Sequence, residues 1–430
     1  MHRIYMDANA TTPLAPEVFE AMRPWLIESY GNASSIHYFG QKARQAVEEA
    51  RIHLAQLLNC RPAEIVFTSG GTEGDNLAIF GLLSSSVGPG DHFITSSIEH
   101  DAVLHAAESL RKRGVEVTYL PVGSDCLVDP DDLRRALRSN TRLISIMMAN
   151  NETGAIQPVE EIGKIAAEAD VYFHTDAVQA AGKLLIDVEK IGCDLLAIAG
   201  HKMYAPQGVG ALYVHRSTKI EPLFFGGSHE RQRRAGTENV AGIVGLGKAA
   251  QLAVAAIEAA AQSQTNVVLS DPSRSEEESK DLRFASNPTN LGAQCPEGTL
   301  GLIKIQTLRD RLENGLIASL ENVGVNAGNA PRVPNTTNLY FDHLEGEALV
   351  IALDMKGLSV SGGSACASGA AEPSHVLTAM GLTPQRGRAS LRFSLTRYTT
   401  EDDIDFALEV VPAAVSRLRE ISPVFAGTLG

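Results

Sequence analysis

Short apolar runs alternate with helix-like segments between about residues 63 and 215. Each run is six or seven residues long, and each is followed by a segment with helical spacing of its apolar positions. Repeated strand–helix alternation predicts a mostly parallel, doubly wound sheet with helices on both faces. The predicted strands are EIVFTS, DHFITS, VEVTYL, LISIMMA, VYFHTD, LLAIAG and GALYVH.

The pattern changes after this region. Residues 262–300 are polar, Ser-rich and broken by prolines, which predicts a long irregular insertion. Beyond it the chain returns to helix-like and strand-like runs, which predict a smaller α+β domain. We therefore expect a large domain of residues 16–257, and a small domain formed by residues 1–15 together with 258–430. The later runs are IQTLRDRLENGLIASL, NTTNLYF, SVSGG, ASLRFSL and TEDDIDFALEVVPAAVSRLREI.

Composition favours a soluble cytoplasmic enzyme. The 430 residues carry a formal net charge of −14, which argues against nucleic acid or an anionic membrane as the main partner. The N-terminal run MHRIYMDANATT lacks an apolar signal region, and AAQLAVAAIEAAA is too short to span a bilayer. Five widely spaced cysteines without a C-x-x-C pair indicate reduced thiols.

A glycine-rich turn follows the first predicted strand, in the run SGGTEGDN. Free N–H groups at the start of the next helix and the Thr72 hydroxyl would favour a bound phosphate, and Gly71 would allow close approach of the backbone. An ordinary helix cap, in which Thr72 is paired with Asp75, explains the same residues. The motif alone leaves both interpretations open.

Two further polar positions follow predicted strands. His100 comes after DHFITS, where its imidazole could stack on a cofactor ring or could simply cap a helix. Asn151, preceded by Asn150, follows LISIMMA, and its amide could reach a ring oxygen or a substrate carboxylate. Turn chemistry is the alternative there, since Asn-Asn before Thr-Gly is a favourable turn sequence.

A carboxylate and a lysine end two neighbouring predicted strands. Asp176 and Gln179 follow one strand, and His201 and Lys202 follow the next. A lysine can form a Schiff base with pyridoxal phosphate, and a carboxylate can keep the pyridine nitrogen protonated so that the ring accepts electrons. A helix cap and a surface charge are the alternatives for Asp176 and Lys202. Five such groups on successive strand ends favour a pyridoxal phosphate enzyme, because ligands collect at the carboxyl ends of parallel strands.

Three candidates lie in the second half of the chain. Thr237 is a candidate phosphate donor beside a basic run, which is otherwise a solvated charge cluster. Arg392 would hold a carboxylate or form a salt bridge. Cys366 lies among Gly, Ser and Ala, which supply little packing and much mobility, so we interpret it as a nucleophile that travels to the cofactor.

Seven runs together resemble the cysteine desulfurases of the NifS/IscS type, which are class V aminotransferase-fold pyridoxal phosphate enzymes. The resemblance covers the whole chain apart from residues 262–300. It implies the type I fold of pyridoxal-phosphate-dependent transferases, with a mostly parallel seven-stranded sheet in the large domain. HERQRRAGTENV is more similar to the nitrogen-fixation branch. The runs are YMDANATTP, SGGTEGDN, NNETGAIQP, HTDAVQAAGK, AGHKMYAPQGVG, GGSHERQRRAGTENV and SGGSACASGAAEPSHVL.

The resemblance implies cofactor roles for the matching residues. Lys202 would form the Schiff base, Asp176 would pair with the pyridine nitrogen, and His100 would stack on the ring. Gln179 and Asn151 would address the phenolic oxygen of the cofactor and the substrate. The phosphate would be held by Gly71, Thr72 and His201, together with Thr237 from the other subunit of a homodimer.

The resemblance also implies the reaction. Arg392 would bind the carboxylate of L-cysteine, helped by Asn151 and Asn32, and Cys366 would take the sulfur as a persulfide while alanine is released. The acceptor would be an iron–sulfur scaffold protein or another thiolation partner. No resident metal is expected, although Cys366 is a candidate transient ligand of an iron–sulfur cluster.

Three departures from the family pattern stand out. Ala199 occupies a position where the family usually has serine, which removes one phosphate hydroxyl, and Gln207 replaces a lysine. Residues 262–300 lengthen the spacing between Thr237 and Cys366.

The alternative functions to a cysteine desulfurase are a selenocysteine lyase, a kynureninase-like enzyme, a small-substrate aminotransferase, or a non-catalytic scaffold on the same fold. The thiol of Cys366 argues against an aminotransferase, and the Lys202–Asp176 pair argues against a scaffold.

Overall fold

In the computed structural model, the described residues are 3–83, 88–269, 301–362 and 373–421, without side chains for residues 263–269. Their strands are β1 Ile4–Tyr5, β2 Ile65–Thr68, β3 His92–Ser96, β4 Glu116–Leu120, β5 Thr141–Ser145, β6 Tyr172–Asp176, β7 Leu195–Ala199, β8 Gly210–Val214, β9 Val323–Val325, β10 Thr336–Phe341, β11 Leu358–Ser359, β12 Ser361–Gly362 and β13 Ser390–Ser394. Their helices are α1 Pro16–Ile27, α2 Tyr38–Leu58, α3 Gly71–Leu83, α4 Asp101–Lys112, α5 Pro130–Ala136, α6 Val159–Glu168, α7 Val188–Ile191, α8 Val240–Leu269, α9 Leu302–Ser319, α10 Gly346–Lys356, α11 His375–Ala379, α12 Pro384–Arg388 and α13 Glu401–Ile421.

The seven strands predicted between residues 63 and 215 form one sheet, in the order β2-β8-β7-β6-β5-β3-β4. Strand β8 runs antiparallel to both of its neighbours, and the other pairings are parallel. The predicted mostly parallel sheet is therefore confirmed. Because β2, β3, β5, β6 and β7 point the same way, the residues that follow them meet at one edge of the sheet.

Helices cover both faces of this sheet, as continuous apolar strands require. On one face α1, α2 and α8 pack over residues such as Phe67, Phe173 and Ile198. On the other face α3 and α4 bury Leu77 and Val103 against strand residues of the opposite parity. The start of α3 passes very close to the turn after β6, since a side-chain carbon at Gly71 would lie 2.6 Å from Val178. Only glycine permits that approach.

The small domain has its own apolar core. An antiparallel sheet in the order β12-β13-β10-β9 is packed against α9, α10 and α13, and β1 pairs with β11 beside it. The predicted strand SVSGG is divided between β11 and β12.

The predicted insertion begins later than expected, because α8 continues to Leu269. The expected start at residue 262 is therefore wrong. Residues 270–300 lie outside the described part. The helix also runs through the expected domain boundary at residue 257, and that boundary remains a prediction.

One helical segment of the described residues, Val240–Gln262, is by length and composition sufficient to cross a bilayer. The expectation that this apolar stretch is too short for a span is thus wrong, because the stretch continues on its N-terminal side. More than half of the segment is buried, and α8 packs against α1 and α2 in the core of the large domain. Such burial is typical of a core helix.

Candidate active site

A cavity of about 660 Å³ lies at the carboxyl ends of the parallel strands. It brings together most of the residues predicted from strand ends, although they are spread over more than 300 positions of the chain. Arg392 reaches the cavity from the small domain. The predicted residues that line it are Gly71, Thr72, His100, Asn151, Asp176, Gln179, His201, Lys202 and Arg392.

Lys202 ends a single 3-10 turn, Gly200–Lys202, that follows β7. Its Nζ donates hydrogen bonds to the carbonyl oxygens of Asn9 and Ala10, the latter at 2.7 Å. These contacts direct the amine at the cavity from the side of the N-terminal segment. Two backbone carbonyls of the N-terminal segment therefore hold the amine at the cavity.

Asp176 is the last residue of β6, and its carboxylate is buried. Oδ1 accepts a hydrogen bond from the N–H of Val178 at 2.8 Å. Burial raises the pKa of Asp176, while the nearby His100 and Lys202 and the Val178 N–H oppose that rise. Asp176 thus caps the turn that follows, which was the alternative interpretation of this residue. It also lines the cavity.

The part of the cavity at the start of α3 suits a phosphate. Helix α3 begins at Gly71, so the N–H groups of its first turn lack partners within the helix. Thr72 and His201 line the same end, and Nδ1 of His201 is 3.2 Å from the hydroxyl of Thr11. Burial, with help from Lys202, lowers the pKa of His201 to about 4, so the ring is neutral there at neutral pH.

This donor set fits pyridoxal phosphate. A phosphate end, an amine for the aldehyde and a carboxylate for the ring nitrogen line one cavity. Ala199 also lies at the phosphate end, with its Cβ 3.5 Å from the position a side-chain carbon would take at Gly71. The hydroxyl that the family usually has there is absent from this chain.

The side chain of Gln179 is held at both of its amide atoms. Its Nε2 donates to the carbonyl of Asn9 at 3.0 Å, and its Oε1 accepts from Nζ of Lys183 at 2.9 Å. Burial, together with the positive charges of Lys202 and Arg392, lowers the pKa of Lys183 to about 7. Lys183 therefore fixes which end of the Gln179 amide faces the cavity.

His100 and Asn151 also combine a structural and a cavity-lining position. Nδ1 of His100 accepts the N–H of Ala102 at 3.1 Å, so the neutral ring carries its proton on Nε2. The side chain of Asn150 is engaged in the turn, accepting from the N–H groups of Glu152 and Thr153. Turn chemistry therefore explains Asn150, while Asn151 lines the cavity.

Arg392 is buried and already paired. Its guanidinium donates to Oδ1 of Asp7 at 2.7 Å and to the carbonyl of Asn151 at 2.8 Å. Its Nε has no hydrogen-bond partner among the described residues. The salt bridge that was the alternative for Arg392 is therefore present, and the guanidinium still lines the cavity.

The segment that carries Cys366 lies outside the described residues, but both of its ends are described. Gly362 pairs with Leu391 in the small sheet, next to Arg392. On the other side Ser374 lines the cavity and donates to Oε2 of Glu152 at 2.6 Å. Burial raises the pKa of Glu152 to about 7, although Ser374 and Arg392 oppose it. One end of the segment thus lines the cavity, and the other end lies in the strand beside Arg392, which lines it.

Asn32 and Thr237 are not in this cavity. Both line a separate surface cavity of about 680 Å³, formed by the segments around residues 32–44 and 228–238. Asn32 is engaged in a turn, accepting the N–H of Ser34 at 2.8 Å. Within one subunit the structure therefore does not bring Asn32 near Arg392.

The basic run before Thr237 contains a structural ion pair. Arg234 donates two hydrogen bonds to Glu73, at 2.9 and 3.2 Å. Glu73 in turn accepts the N–H of Ser69 and follows Thr72 directly, so the pair links this run to the phosphate turn. Arg234 is therefore a paired charge rather than a solvated one, and the expected anion site remains a prediction.

The sequence did not reveal several residues that line the cavity or hold the side chains that line it. Asn9 and Lys183 act through backbone or amide contacts that no local pattern marks. Asp75 was considered only as a helix cap, yet it lines the cavity from α3. Its spacing from Gly71, one helical turn, is the signal that could have revealed it.

Three cysteines are described, and all three are free thiols. Burial raises the pKa of Cys60 and of Cys126 to about 12 in each case, and it raises that of Cys193 as well. Thiols of this kind are poor nucleophiles because the thiolate is the reactive form. Among the described residues no cluster of His, Cys, Asp or Glu is arranged to bind a metal ion.

Comparisons with known proteins agree on one family. The model of the family Aminotransferase class-V matches residues 4–277 and 300–406. A cysteine desulfurase IscS of Methanosarcina thermophila is 48% identical over 421 residues, which are 98% of this chain and 94% of that protein. A cysteine desulfurase IscS of Dictyoglomus turgidum is 44% identical over 420 residues, which are 98% and 96% of the two chains.

Solved structures give the same picture. A structure titled NifS-like protein has a TM-score of 0.81 and 32% identity, covering 97% of this chain and all of that one. A structure titled SspA in complex with cysteine has a TM-score of 0.73 and 35% identity, covering 92% of this chain and all of that one. Residues 278–299 fall between the two ranges matched by the family model, inside the predicted insertion.

Proposed function

This chain belongs to the class-V aminotransferase family as a pyridoxal-phosphate-dependent cysteine desulfurase, and on that premise we propose that Cys366 captures the sulfur as a persulfide. The observation that carries the proposal is the position of both ends of its segment. Cys366 follows Gly362 by four residues and precedes Pro373 by seven, which is at most about 14 and 25 Å of extended chain. Those two anchors lie beside Arg392 and in the cavity lining.

The other cysteines support the same choice. The three described thiols have raised pKa values and lie away from the cavity lining, so they are poor candidates for the attack. Cys295 and Cys366 lie outside the described residues, and the described residues that flank the Cys366 segment are Gly362, in the strand next to Arg392, and Pro373, in the cavity lining. A matched test between these two cysteines is therefore possible.

Pyridoxal phosphate, when bound, supplies an electron sink for the charge that develops at the substrate Cα. Lys202 would bind the aldehyde in the resting enzyme and, once displaced by the substrate amine, would take the proton from Cα on Nζ. The carbonyls of Asn9 and Ala10 orient that amine. Gln179 and His100 would contact the ring from two sides of the cavity.

Arg392 would bind the substrate carboxylate. Its guanidinium faces the cavity and is oriented by Asp7 and by the carbonyl of Asn151. Asp7 limits the rotation of the Arg392 guanidinium. The substrate carboxylate would therefore bind the guanidinium beside Asp7. The Asn151 amide, which lines the cavity beside it, supplies a further donor.

The nucleophile of the sulfur transfer would be the thiolate form of Cys366. The Cys366 thiolate attacks the substrate sulfur, so that an S–S bond forms as the substrate C–S bond breaks. The bonding electrons pass to the substrate Cβ, which takes a proton and becomes a methyl group, and Nζ of Lys202 would return a proton to Cα, so that alanine is formed. The persulfide that remains on Cys366 would pass its outer sulfur to a second thiol, and an iron–sulfur scaffold protein or a thiolation enzyme has such a thiol.

The active unit would be a homodimer. Asn32 and Thr237 lie together in a cavity of their own, away from Lys202. Large apolar side chains flank the same two segments, with Ile36 93% and Phe225 89% exposed. Exposed apolar patches of this kind mark interfaces. A second subunit that covers them would bring Thr237 to the phosphate of its partner's site.

We also assign the protein to the cytoplasm, where thiols such as Cys60 and Cys193 stay reduced. Cell fractionation with antibody detection tests this assignment. Recovery in a membrane or secreted fraction would contradict it.

The test of the sulfur step compares Cys366→Ala with Cys295→Ala. With L-cysteine, we expect Cys366→Ala to keep the yellow cofactor and to lose alanine formation and the persulfide together. Cys295→Ala should retain both, because the substitution leaves the proposed sulfur acceptor intact. Alanine and protein-bound persulfide are assayed on the same samples, the latter by mass spectrometry after alkylation. Unchanged alanine formation by Cys366→Ala would disprove the assignment.

A further inference from the structure

Two buried polar atoms face each other behind Asp176. Asp75 on α3 is 1% exposed and His174 on β6 is fully buried. Oδ1 of Asp75 lies 3.5 Å from Nε2 of His174, and neither atom has a hydrogen-bond partner among the described residues. Because unpaired buried polar groups are costly, this arrangement calls for a proton between the two atoms.

The contacts of the His174 ring limit how it can share this proton with Asp75. Nδ1 of His174 is 2.8 Å from the hydroxyl of Ser145, and burial lowers the pKa of the ring to about 3. A neutral ring that donates from Nδ1 to the Ser145 hydroxyl has an acceptor at Nε2, whereas a ring that accepts from that hydroxyl carries its proton on Nε2. The charges around Asp75 decide between the two arrangements and favour the first. The group that faces this acceptor is the Asp75 carboxyl, which can donate only in its protonated form.

The charges around Asp75 and Asp176 indicate that Asp75 is the protonated carboxyl of the two. Burial raises the pKa of Asp75 well above its ordinary value, and repulsion from Asp176 and Glu99 adds to the rise. Asp176 instead has His100 and Lys202 on its cavity side and the N–H of Val178 as a donor. Two neighbouring buried carboxylates cannot both carry a charge cheaply. The charge therefore belongs on Asp176, where donors and cations face it.

We propose that Asp75 is a positioning residue whose protonated carboxyl donates to Nε2 of His174, and that this neutral pair leaves Asp176 as the single ionised carboxylate at the floor of the cavity. Asp75 lies one helical turn beyond Gly71 and also lines the cavity. Its neutrality keeps a second negative charge away from the pyridine nitrogen and from the phosphate end. The proposal rests on the cofactor site but not on the sulfur step at Cys366.

Infrared spectroscopy tests the proton directly. In a difference spectrum between the holoenzyme and its Asp75→Asn variant at pH 8, we expect the carbonyl stretch of a protonated carboxylic acid, present only in the unsubstituted protein. Carbon-13-labelled aspartate in the native chain identifies the same band if the variant does not accumulate. A carboxylate band in its place would overturn the proposal, whatever the enzyme does with cysteine.

Cofactor affinity separates the two aspartates. Apoprotein is titrated with pyridoxal phosphate, and Asp75→Asn is compared with the matched change Asp176→Asn. An amide replaces a neutral acid without changing the charge, so Asp75→Asn should bind within about twofold of the native protein. Loss of a charged partner in Asp176→Asn should weaken binding by about tenfold or more. Equal weakening in both variants would show that Asp75 supplies the charge, and the proposal would fail.

Discussion

Ala199 lies beside the start of α3, at a position where the family resemblance leads us to expect a serine. It is buried at the end of β7 and lies near the first residue of α3. A methyl group at this point provides contact but no donor. On the proposed assignment, the neighbouring residues Gly71, Thr72 and His201 would hold the phosphate with one hydroxyl fewer.

Restoring that hydroxyl is expected to tighten cofactor binding. Ala199→Ser adds a donor beside the N–H groups of α3, and a hydrogen bond to a charged oxygen contributes ~1.5 kcal/mol or more. Titration of the apoprotein with pyridoxal phosphate should give a dissociation constant lowered by about tenfold. Ala197→Ser is the matched control on the same strand, since Ala197 packs against Gly74 and does not line the cavity. An unchanged dissociation constant for Ala199→Ser would contradict the expectation.

At the scale of elements, the segment before Thr237 depends on a buried clamp. Glu230, Arg231 and Gln232 all have positive φ, which is unfavourable for residues with side chains. The carboxylate of Glu230 accepts two hydrogen bonds from Arg51, both at 2.8 Å, and one from the N–H of Phe67. The ion pair thus fastens the strained segment to α2 and β2.

Breaking this clamp should be strongly destabilising. Arg51→Met leaves Glu230 as a buried charge without its partner, which typically costs about 3 to 5 kcal/mol. Urea denaturation of the native protein and the variant, followed by circular dichroism, measures the loss. Adding Glu230→Leu should recover much of it, because an apolar pair replaces the unpaired charge. Arg417→Met, which removes an exposed ion pair, should leave the urea midpoint unchanged. Equal effects of Arg51→Met and Arg417→Met would refute the role of the clamp.

At the scale of the whole molecule, one chain supplies two kinds of surface. The Lys202 cavity lies at the carboxyl ends of the seven-stranded sheet, with Arg392 of β13 in its lining, and the cavity with Thr237 lies elsewhere on the same chain. Exposed apolar side chains surround the second cavity. A dimer in which each subunit completes the other's site accounts for this separation.

Mixed dimers test that arrangement. With Lys202→Ala on one chain and Thr237→Val on the other, one site should combine a native Lys202 with a native Thr237 from the partner. With both substitutions on one chain and a native second chain, no site should be complete. We expect one tight cofactor site per dimer in the first case and none in the second, measured by titration of differently tagged, purified mixed dimers. Equal stoichiometry in the two cases would rule out sharing of Thr237 between subunits.

Local patterns sufficed for the strands and for the residues at their ends. Apolar runs of six or seven residues that alternate with helix-spaced segments predict buried strands and their helices, and parallel strands bring their carboxyl ends to one edge. For this reason Asp176, Lys202 and His100 were predictable as neighbours. The family resemblance then supplied the reaction, which the comparisons confirm.

Tertiary structure alone decided the contacts between distant segments. Asn9 meets Lys202, Arg392 meets Asp7, and Asp75 faces His174 because two domains and two layers close over the strand ends. No local periodicity encodes these pairs, since their geometry depends on how whole elements pack. The sequence by itself thus determined the elements and the reacting groups of this desulfurase. The packing of its layers determined which donors orient those groups and which buried carboxyl must keep a proton.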